Sequence, residues 1–222
     1  MRRINMDMKG PHNSEMHAAG ANKDVACRVA NDWRQIVPAL SGGGVCLREV
    51  HRADAPSLFA MLTAADIASF ISPPPATIAG FERFIAWAQR ERAAGRYLCF
   101  AVVPQGLDTA VGLIDVRQVG PDFVTAECGF AIGSAYRNTS VFMSTAWLTL
   151  AFAFETVGVS RVEARAALTN GGNPALTKHG AGCAGVLRKS SLRHSEDMHQ
   201  APWSIDRGDW RQAKVVWGSR MH

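Results

Sequence analysis

Hydrophobic and polar positions along the chain predict a sheet protein whose strands and helices alternate. In Val45–Val50 apolar and polar residues alternate, which is typical of a half-buried strand. The later apolar segments are short and are bounded by Gly, Pro, Asn and Asp, as strand ends usually are. The predicted strands are Val45–Val50, Tyr97–Val103, Ala110–Gln118, Phe123–Ile132, Arg161–Leu168, Gly185–Arg188 and Pro202–Ile205.

The helices are predicted by apolar spacing and by capping residues. Asp54 is in position to cap a short helix that ends near Leu62. Thr77 begins a longer helix that continues to Glu91, and Gly95 follows its end. The remaining predicted helices are Thr139–Val157, which Gly158 closes, and Pro174–Lys178. This order of elements predicts a mixed sheet with helices on its faces, in the α/β or α+β class.

One apolar segment, Val141–Val159, is long enough to resemble a marginal membrane span, and Glu155 is its only charged residue. It also contains Ser, Thr and Gly, and predicted strands flank it on both sides. We therefore interpret it as a buried helix that packs against a sheet. The sequence predicts no association with a membrane.

The first part of the chain differs from the rest. Residues 1–40 are rich in Gly, Asn, His and Lys and predict a flexible arm, with a short docked helix within Val29–Leu40. The arm carries no apolar segment of the kind found in signal peptides. Ser41–Gly44 is the best candidate boundary. We expect one domain over residues 45–210 and a tail over residues 211–222.

Composition narrows the class of protein only slightly. A net charge of +5 fits an anionic partner such as a CoA phosphate, an acidic peptide or RNA, and does not choose among them. The five cysteines form no Cys-x-x-Cys pair, which favours a reducing, cytoplasmic location. No histidine spacing predicts a metal site. Four arginines cluster on one predicted helix and its exit, where a solvated helix face explains them better than RNA binding does: Arg83, Arg90, Arg92 and Arg96.

Several short words occur in the order found in one known superfamily. They are Val45-Cys-Leu-Arg-Glu-Val, Ile71-Ser-Pro-Pro-Pro, Gly80-Phe-Glu-Arg-Phe-Ile-Ala-Trp, Ala126-Glu-Cys-Gly-Phe, Phe152-Ala-Phe-Glu-Thr-Val-Gly-Val, Arg161-Val-Glu-Ala-Arg, Lys178-His-Gly-Ala and Gly185-Val-Leu-Arg. With these words the chain resembles the GNAT N-acetyltransferases, in the branch of the RimJ/RimL-like ribosomal-protein N-acetyltransferases. The resemblance implies a mixed, mostly antiparallel sheet flanked by helices, with splayed strands that form an acetyl-CoA cleft.

The resemblance also implies where acetyl-CoA, the co-substrate, binds. A strand that leads into a helix leaves first-turn N–H groups without intrahelical partners, and these groups with the helix dipole form an anion site for the pyrophosphate. The pantetheine arm would pair with backbone groups between the splayed strands. The residues that the resemblance assigns to the cofactor are Phe130, Ile132, Arg137, Asn138, Thr139, Ser140, Val141, Phe142, Asn170 and Asn173.

The phosphate motif departs from the family pattern of Arg/Gln-x-x-Gly-x-Gly/Ala. Arg137 is kept, but Ser140 and Phe142 occupy the two small positions, and Asn138 stands where many relatives have Gly. The turn Asn170–Asn173 is one residue shorter than usual. These departures leave a second hypothesis open, in which a degenerate domain binds acyl-CoA or a protein partner without efficient turnover.

The resemblance implies that an amine attacks the thioester directly, so a base must remove the proton of the ammonium group. Glu127 is the candidate base, and the alternative is that it is a solvated or salt-bridged strand residue. Asp115 and Glu163 either line the cleft or have structural roles. The acceptor is a primary amine, either a protein N-terminus or a small molecule. A third hypothesis is a basic RNA-associated module, and the oligomeric state is open, with a homodimer as one option.

Overall fold

The strands follow one another in space in the same order as in the sequence. The computed structural model describes residues 32–67, 71, 73–120, 123–137, 139–167 and 200–218. Seven strands form one sheet: β1 (Leu40–Gly42), β2 (Val45–Glu49), β3 (Tyr97–Pro104), β4 (Gly112–Val119), β5 (Thr125–Ile132), β6 (Arg161–Ala167) and β7 (Gln200–Asp206). All neighbours are antiparallel except β5 and β6, which are parallel. The predicted mixed, mostly antiparallel sheet is confirmed.

Helices cover both faces of the sheet. They are α1 (Ala55–Met61), α2 (Ala64–Ile67), α3 (Ile78–Ala93), α4 (Ser140–Ala151) and α5 (Arg207–Gly218), and α4 continues as a π-helical segment, Phe152–Val157. Two of the predicted helix ends are confirmed, because Thr77 Oγ1 accepts the N–H of Gly80 at 3.0 Å and Gly158 ends the π-helical segment with a φ of 88°. Helix α4 makes the crossover that the parallel pair of β5 and β6 requires.

Two apolar layers lie on opposite sides of the sheet. On one side α1 and α3 pack against β3 and β4, through Leu58, Phe81, Ile85, Ala101 and Leu113 among others. On the other side α4, its continuation and α5 pack against strands β2 to β7, through Phe100, Phe142, Phe152, Phe154 and Trp210 among others. We call the first side the α1/α3 face.

The long apolar helix lies within this second layer. Ser140–Val157 meets the length and composition expected of a membrane span, with a mean hydropathy of 1.3. It packs against the sheet: the Phe152 ring contacts Phe100 with centroids 5.3 Å apart, and the Ser144 hydroxyl donates to the carbonyl of Gly43 at 3.0 Å. The prediction of a buried helix packed on a sheet is confirmed.

The start of the described chain differs from our prediction. Within residues 32–40 no helix forms; Trp33–Gln35 is a turn, and Leu40–Gly42 pairs with β2. The glycines we interpreted as a boundary form a two-residue hairpin turn, in which Gly43 and Gly44 have φ of 56° and 78°. Two positive φ angles in succession are what a type I′ hairpin requires, and glycine adopts them without strain.

A second correction concerns Asp54. It stands at the N-cap position of α1, but its side chain makes no capping bond there. A 3-10 turn precedes the helix and turns the carboxylate back, so that it accepts from the N–H of His51 and from the Arg48 guanidinium at 2.7–2.8 Å. The predicted elements at Pro174–Lys178 and Gly185–Arg188 lie outside the described residues. Helix α5 continues to Gly218, past the point where we predicted a tail.

Candidate functional site

Strands β5 and β6 separate partway along their length. Their parallel ladder runs from Thr125↔Arg161 to Cys128↔Ala164, yet β5 continues to Ile132 and β6 to Ala167. We call the interval between residues 129–132 of β5 and 165–167 of β6 the strand gap. The predicted splaying of these strands is thereby confirmed.

Backbone groups of β5 point into the strand gap. Gly133 donates its N–H to Val111 next to β4, so it faces that neighbour. Successive residues of an antiparallel strand point their N–H and C=O groups to alternate edges. The N–H groups of Ile132 and Phe130 therefore face the β6 edge, where the described ladder has ended. Phe130 and Ile132 are the two β5 residues for which we predicted contacts to acetyl-CoA.

The segment after β5 leads directly into the first turn of α4. It passes through a 3-10 turn, Ser134–Tyr136, and Thr139 forms the N-cap. The Thr139 hydroxyl accepts the N–H of Val141 at 3.2 Å and donates to the carbonyl of Tyr136 at 2.8 Å. Ser140 is exposed. The N-terminal end of α4, with its unpaired N–H groups and positive dipole, thus opens beside the strand gap.

The Arg137 side chain stabilises the segment that joins β5 to α4. Its Nε donates to the carbonyl of Ile132 at 2.9 Å, and its guanidinium forms an ion pair with Asp66 of α2. Helix α1 also lies close, because a Cβ added to Gly133 would meet Met61 Cγ at 2.7 Å. The side chain that the family motif assigns to the cofactor therefore closes the turn between β5 and α4. Asp66 was not predicted as its partner.

The bulky residue of the phosphate motif is buried in the apolar layer. Phe142 is 2% exposed, and its ring contacts that of Phe130 with centroids 4.9 Å apart. Its side chain fills space between α4 and the sheet. This placement explains how the helix accommodates Phe where relatives have a small residue. Three other predicted cofactor residues lie outside the described residues: Asn138, Asn170 and Asn173.

The candidate base Glu127 lies on the α1/α3 face, in a row of side chains that crosses four strands in register: Tyr97, Arg117, Glu127 and Glu163. Glu127 Oε1 is 3.2 Å from an Arg117 nitrogen, and the two side chains are 15% and 39% exposed. Glu163 is instead paired with Arg161 at 2.9 Å. Glu127 is thus both salt-bridged, as our alternative interpretation had it, and placed on the strand that borders the gap.

Asp115 neighbours this row and is buried, with 1% of its surface exposed. Its Oδ1 accepts the N–H of Gly129 at 2.6 Å, at the first residue of β5 beyond the β6 ladder. Burial raises the pKa of Asp115 to about 6, and the Arg117 charge is the main opposing influence. Sequence reasoning noted Asp115 but missed Arg117. The signal was two charges two residues apart in a strand whose other residues, apart from Gln118, are apolar or glycine.

Other reactive groups near the site have structural explanations. Burial raises the pKa of the Cys128 thiol well above its ordinary value, so the thiol stays protonated at neutral pH. Among the described residues no group of His, Cys, Asp and Glu has the arrangement of a metal site. In the arginine cluster Arg92 pairs with Glu49 and Arg96 pairs with Glu91, both at 2.7 Å. The exposed Arg96 agrees with the interpretation of a solvated helix face, whereas Arg92, with 15% of its side chain exposed, belongs to a partly buried ion pair.

Comparisons with known proteins agree with the geometry. The family profile described as the acetyltransferase (GNAT) domain matches residues 45–179, more than half of the 222 residues. No curated protein matches the chain significantly. Among solved structures, a GCN5-related N-acetyltransferase from Brucella melitensis superposes with a TM-score of 0.62 at 20% identity, covering 83% of this chain and 86% of that one.

Two further structures share the fold and differ in what their names say they act on or bind. Mycobacterium smegmatis RimJ, in complex with CoA-disulfide, has a TM-score of 0.60 at 18% identity, over 82% of this chain and 93% of that one. FdhC, described as a nucleotide-linked sugar GNAT, has a TM-score of 0.64 at 13% identity, over 83% and 99% of the two chains. The solved structures share the fold of this chain, and the family profile shows that the chain belongs to the GNAT family of acetyltransferases.

Proposed function

We propose that the chain transfers the acetyl group of acetyl-CoA to a primary amine by direct attack of the amine. One observation carries the proposal: the strand gap opens beside the first turn of α4, so backbone donors for a chain of amides and for a pyrophosphate lie next to each other. The N–H group of Phe130 would pair with an amide of the cofactor arm. The first-turn N–H groups of α4 would hold its phosphates.

Arg137 has a different role in this proposal from the one the family motif suggests. Because its guanidinium is engaged by Ile132 and Asp66, it holds the turn that aims the α4 N-terminus. The Phe142 side chain is buried against Phe130, which leaves the exposed Ser140 at the start of α4 as the altered motif residue nearest solvent. The structure of the segment is thus compatible with a phosphate at this helix end despite the missing glycines.

Glu127 is the proposed general base. The nitrogen of an ammonium group has no lone pair, so its proton must move to a carboxylate oxygen of Glu127 before the amine attacks the thioester carbon. The amine then attacks the thioester carbon and the C–S bond breaks. The excess proton on the nitrogen passes to the departing thiolate, directly or through water, so that an amide and free CoA are formed. The N–H of Ile132 is the candidate donor to the carbonyl oxygen during this step.

The acceptor class follows from the family rather than from a pocket in this chain. A protein N-terminus, as in RimJ-type enzymes, and a small-molecule amine both present the nucleophile this reaction needs. We place the reaction in the cytoplasm, which agrees with the free thiols of the described cysteines Cys46, Cys99 and Cys128.

The test is release of free CoA from acetyl-CoA in the presence of a panel of peptides with different N-termini and of small amines. We expect release with at least one amine and none with an N-blocked form of the same compound. Tight binding of acetyl-CoA with no release from any amine would contradict the proposal and would favour the degenerate, binding-only domain.

A further inference from the structure

Two buried polar atoms on the α1/α3 face lack hydrogen-bond partners among the described residues. They are Asp115 Oδ2 and Arg117 Nε, and their residues lie two positions apart on the same side of β4. One atom is an acceptor and the other a donor. Most buried polar side-chain atoms in proteins are hydrogen-bonded, so a complementary unpaired couple beside a candidate base requires an explanation.

The charge of Asp115 is unfavourable for folding. Burial disfavours the ionised form of this carboxylate and raises its pKa to about 6, although the Arg117 charge, the Tyr97 hydroxyl and the N–H of Gly129 all act to lower it. An Asn of the same shape could still accept the N–H of Gly129 and would carry no charge. Contact between the strands therefore does not explain why the residue is Asp rather than Asn, and the negative charge needs another explanation.

Arg117 lies between two carboxylates. Its pair with Glu127 has a separation of 3.2 Å, longer than the 2.7–2.9 Å common for charge-assisted bonds. Its charge also lowers the pKa of Asp115 against the effect of burial, so the guanidinium is close enough to Asp115 to interact electrostatically. The Arg117 side chain is 39% exposed, which leaves room for its head group to shift.

The proposed reaction changes the charge of only one of these carboxylates. When Glu127 accepts the acceptor's proton it becomes neutral, and its ion pair with Arg117 weakens. A guanidinium in a partly buried site is costly without a negative partner. Asp115 supplies that charge, because its Oδ2 can accept from Arg117 Nε while Oδ1 keeps the N–H of Gly129.

We propose that Asp115 is a positioning residue that takes over the Arg117 guanidinium when Glu127 receives the proton of the acceptor amine. The inference rests on the proposed role of Glu127 as base. The proton moves from the ammonium nitrogen to Glu127, a hydrogen bond forms between Arg117 Nε and Asp115 Oδ2, and no covalent bond of Asp115 changes.

The first experiment is a double-mutant cycle measured by thermal unfolding at pH 7.5, which requires no turnover. It compares the unaltered chain, Glu127→Gln, Asp115→Asn and the double variant. Glu127→Gln alone should lower the Tm by about 2 °C, because Arg117 shifts to Asp115. In the Asp115→Asn background the same change should cost about 6 °C, because no carboxylate partner is left. Equal losses in the two backgrounds would overturn the inference.

The second experiment is the pH profile of kcat/KM. The groups that face Asp115 are Tyr97 and Cys99 from β3, Arg117, and Glu127 from β5. Burial raises the pKa of Tyr97 and of Cys99 well above the ordinary values, so neither titrates near pH 6. The unaltered chain should lose activity as Asp115 is protonated below about pH 6.

Asp115→Asn should be about tenfold slower at pH 7.5 and should lack that acidic limb. Glu155→Gln is the control, since it removes an exposed carboxylate that pairs with Lys214 on the opposite side, and it should keep both the rate and the limb. An Asp115→Asn profile identical to that of the unaltered chain would overturn the inference. Failure of the proposed function would appear differently, as absence of CoA release by the unaltered chain.

Discussion

The α1/α3 face of the sheet has two regions of opposite character. Along β3 every residue is buried, and α1 and α3 cover this region with apolar side chains. On the next three strands, β4 to β6, the same face carries Arg117, Glu127 and Glu163, and β5 separates from β6. The covered region contributes apolar burial. The open region contains charges that are only partly compensated.

The contrast teaches where stability and chemistry are located in this fold. In the covered region, removal of a side chain costs packing energy and leaves a cavity. In the open region, the ionised carboxylate of Asp115 lowers the stability of the protein at neutral pH. In our proposal this carboxylate provides a negative partner for Arg117 during the reaction. Substitutions in the two regions should therefore move stability and activity in different directions.

The largest effect is expected for Glu127→Gln. Loss of the base should reduce kcat/KM about 10²–10⁴-fold, because the ammonium proton then has no acceptor at that place. The Tm should change little, about 2 °C, because the Arg117 guanidinium then shifts to Asp115. Steady-state kinetics and thermal unfolding on the same preparation test this. Full activity of the variant would exclude Glu127 as the base.

Phe81→Ala should lower the stability of the protein and leave its activity unchanged, the reverse of Glu127→Gln. Phe81 is fully buried between α3 and the sheet, so the variant should lose about 3–5 kcal/mol of unfolding free energy. Activity per folded molecule should be retained. Phe59→Ala is the matched control, since Phe59 is 44% exposed, and it should lose clearly less. Urea titration of both variants measures the difference, and equal losses would contradict the assignment of a covered region.

Asp115→Asn should stabilise the protein at neutral pH. Because the folded-state pKa of about 6 lies above the ordinary value of 3.8, the folded state binds the proton more tightly between these values. This group's contribution to stability is therefore full below about pH 4 and is lost as pH rises through 6. The variant should exceed the unaltered chain by about 3 kcal/mol at pH 7.5 and by little at pH 4. A gain that does not depend on pH would contradict the assigned cause.

Arg137→Gln should have the smallest effect of the four. The turn into α4 loses its bonds to Ile132 and Asp66, so the helix N-terminus is less well aimed and the Kd for acetyl-CoA should rise about tenfold. Arg52→Gln, which removes an exposed pair with Glu82, should leave the Kd unchanged. Titration calorimetry gives both values. An unaltered Kd for Arg137→Gln would mean that the turn holds its shape without this side chain.

Local sequence signals predicted most of the elements. The strands from Val45 to Glu49 and from Tyr97 to Pro104 follow their apolar patterns, and Thr77 and Gly158 mark helix ends through their own backbone chemistry. The hairpin at Gly43 and Gly44 was missed because a pair of glycines is equally typical of a linker. Only the pairing of β1 with β2 distinguishes the two.

The site was less predictable because it depends on register and on orientation. The sequence contains Arg117 and Glu127 but not the alignment of β4 with β5 that brings them opposite each other. In the same way, the direction of the Phe142 side chain follows from how α4 packs on the sheet. A family pattern identifies positions along the chain, whereas contacts such as that of Arg137 with Asp66 join distant segments.

The most direct test of the central claim is the melting temperature with and without saturating acetyl-CoA. At about a hundred times its dissociation constant a bound ligand adds roughly 2.7 kcal/mol, which for a chain of this size raises the Tm by about 5–11 °C. We predict such a rise for acetyl-CoA and none for acetate. No change at millimolar acetyl-CoA would contradict the account, because the strand gap and the α4 N-terminus would then not form a cofactor site.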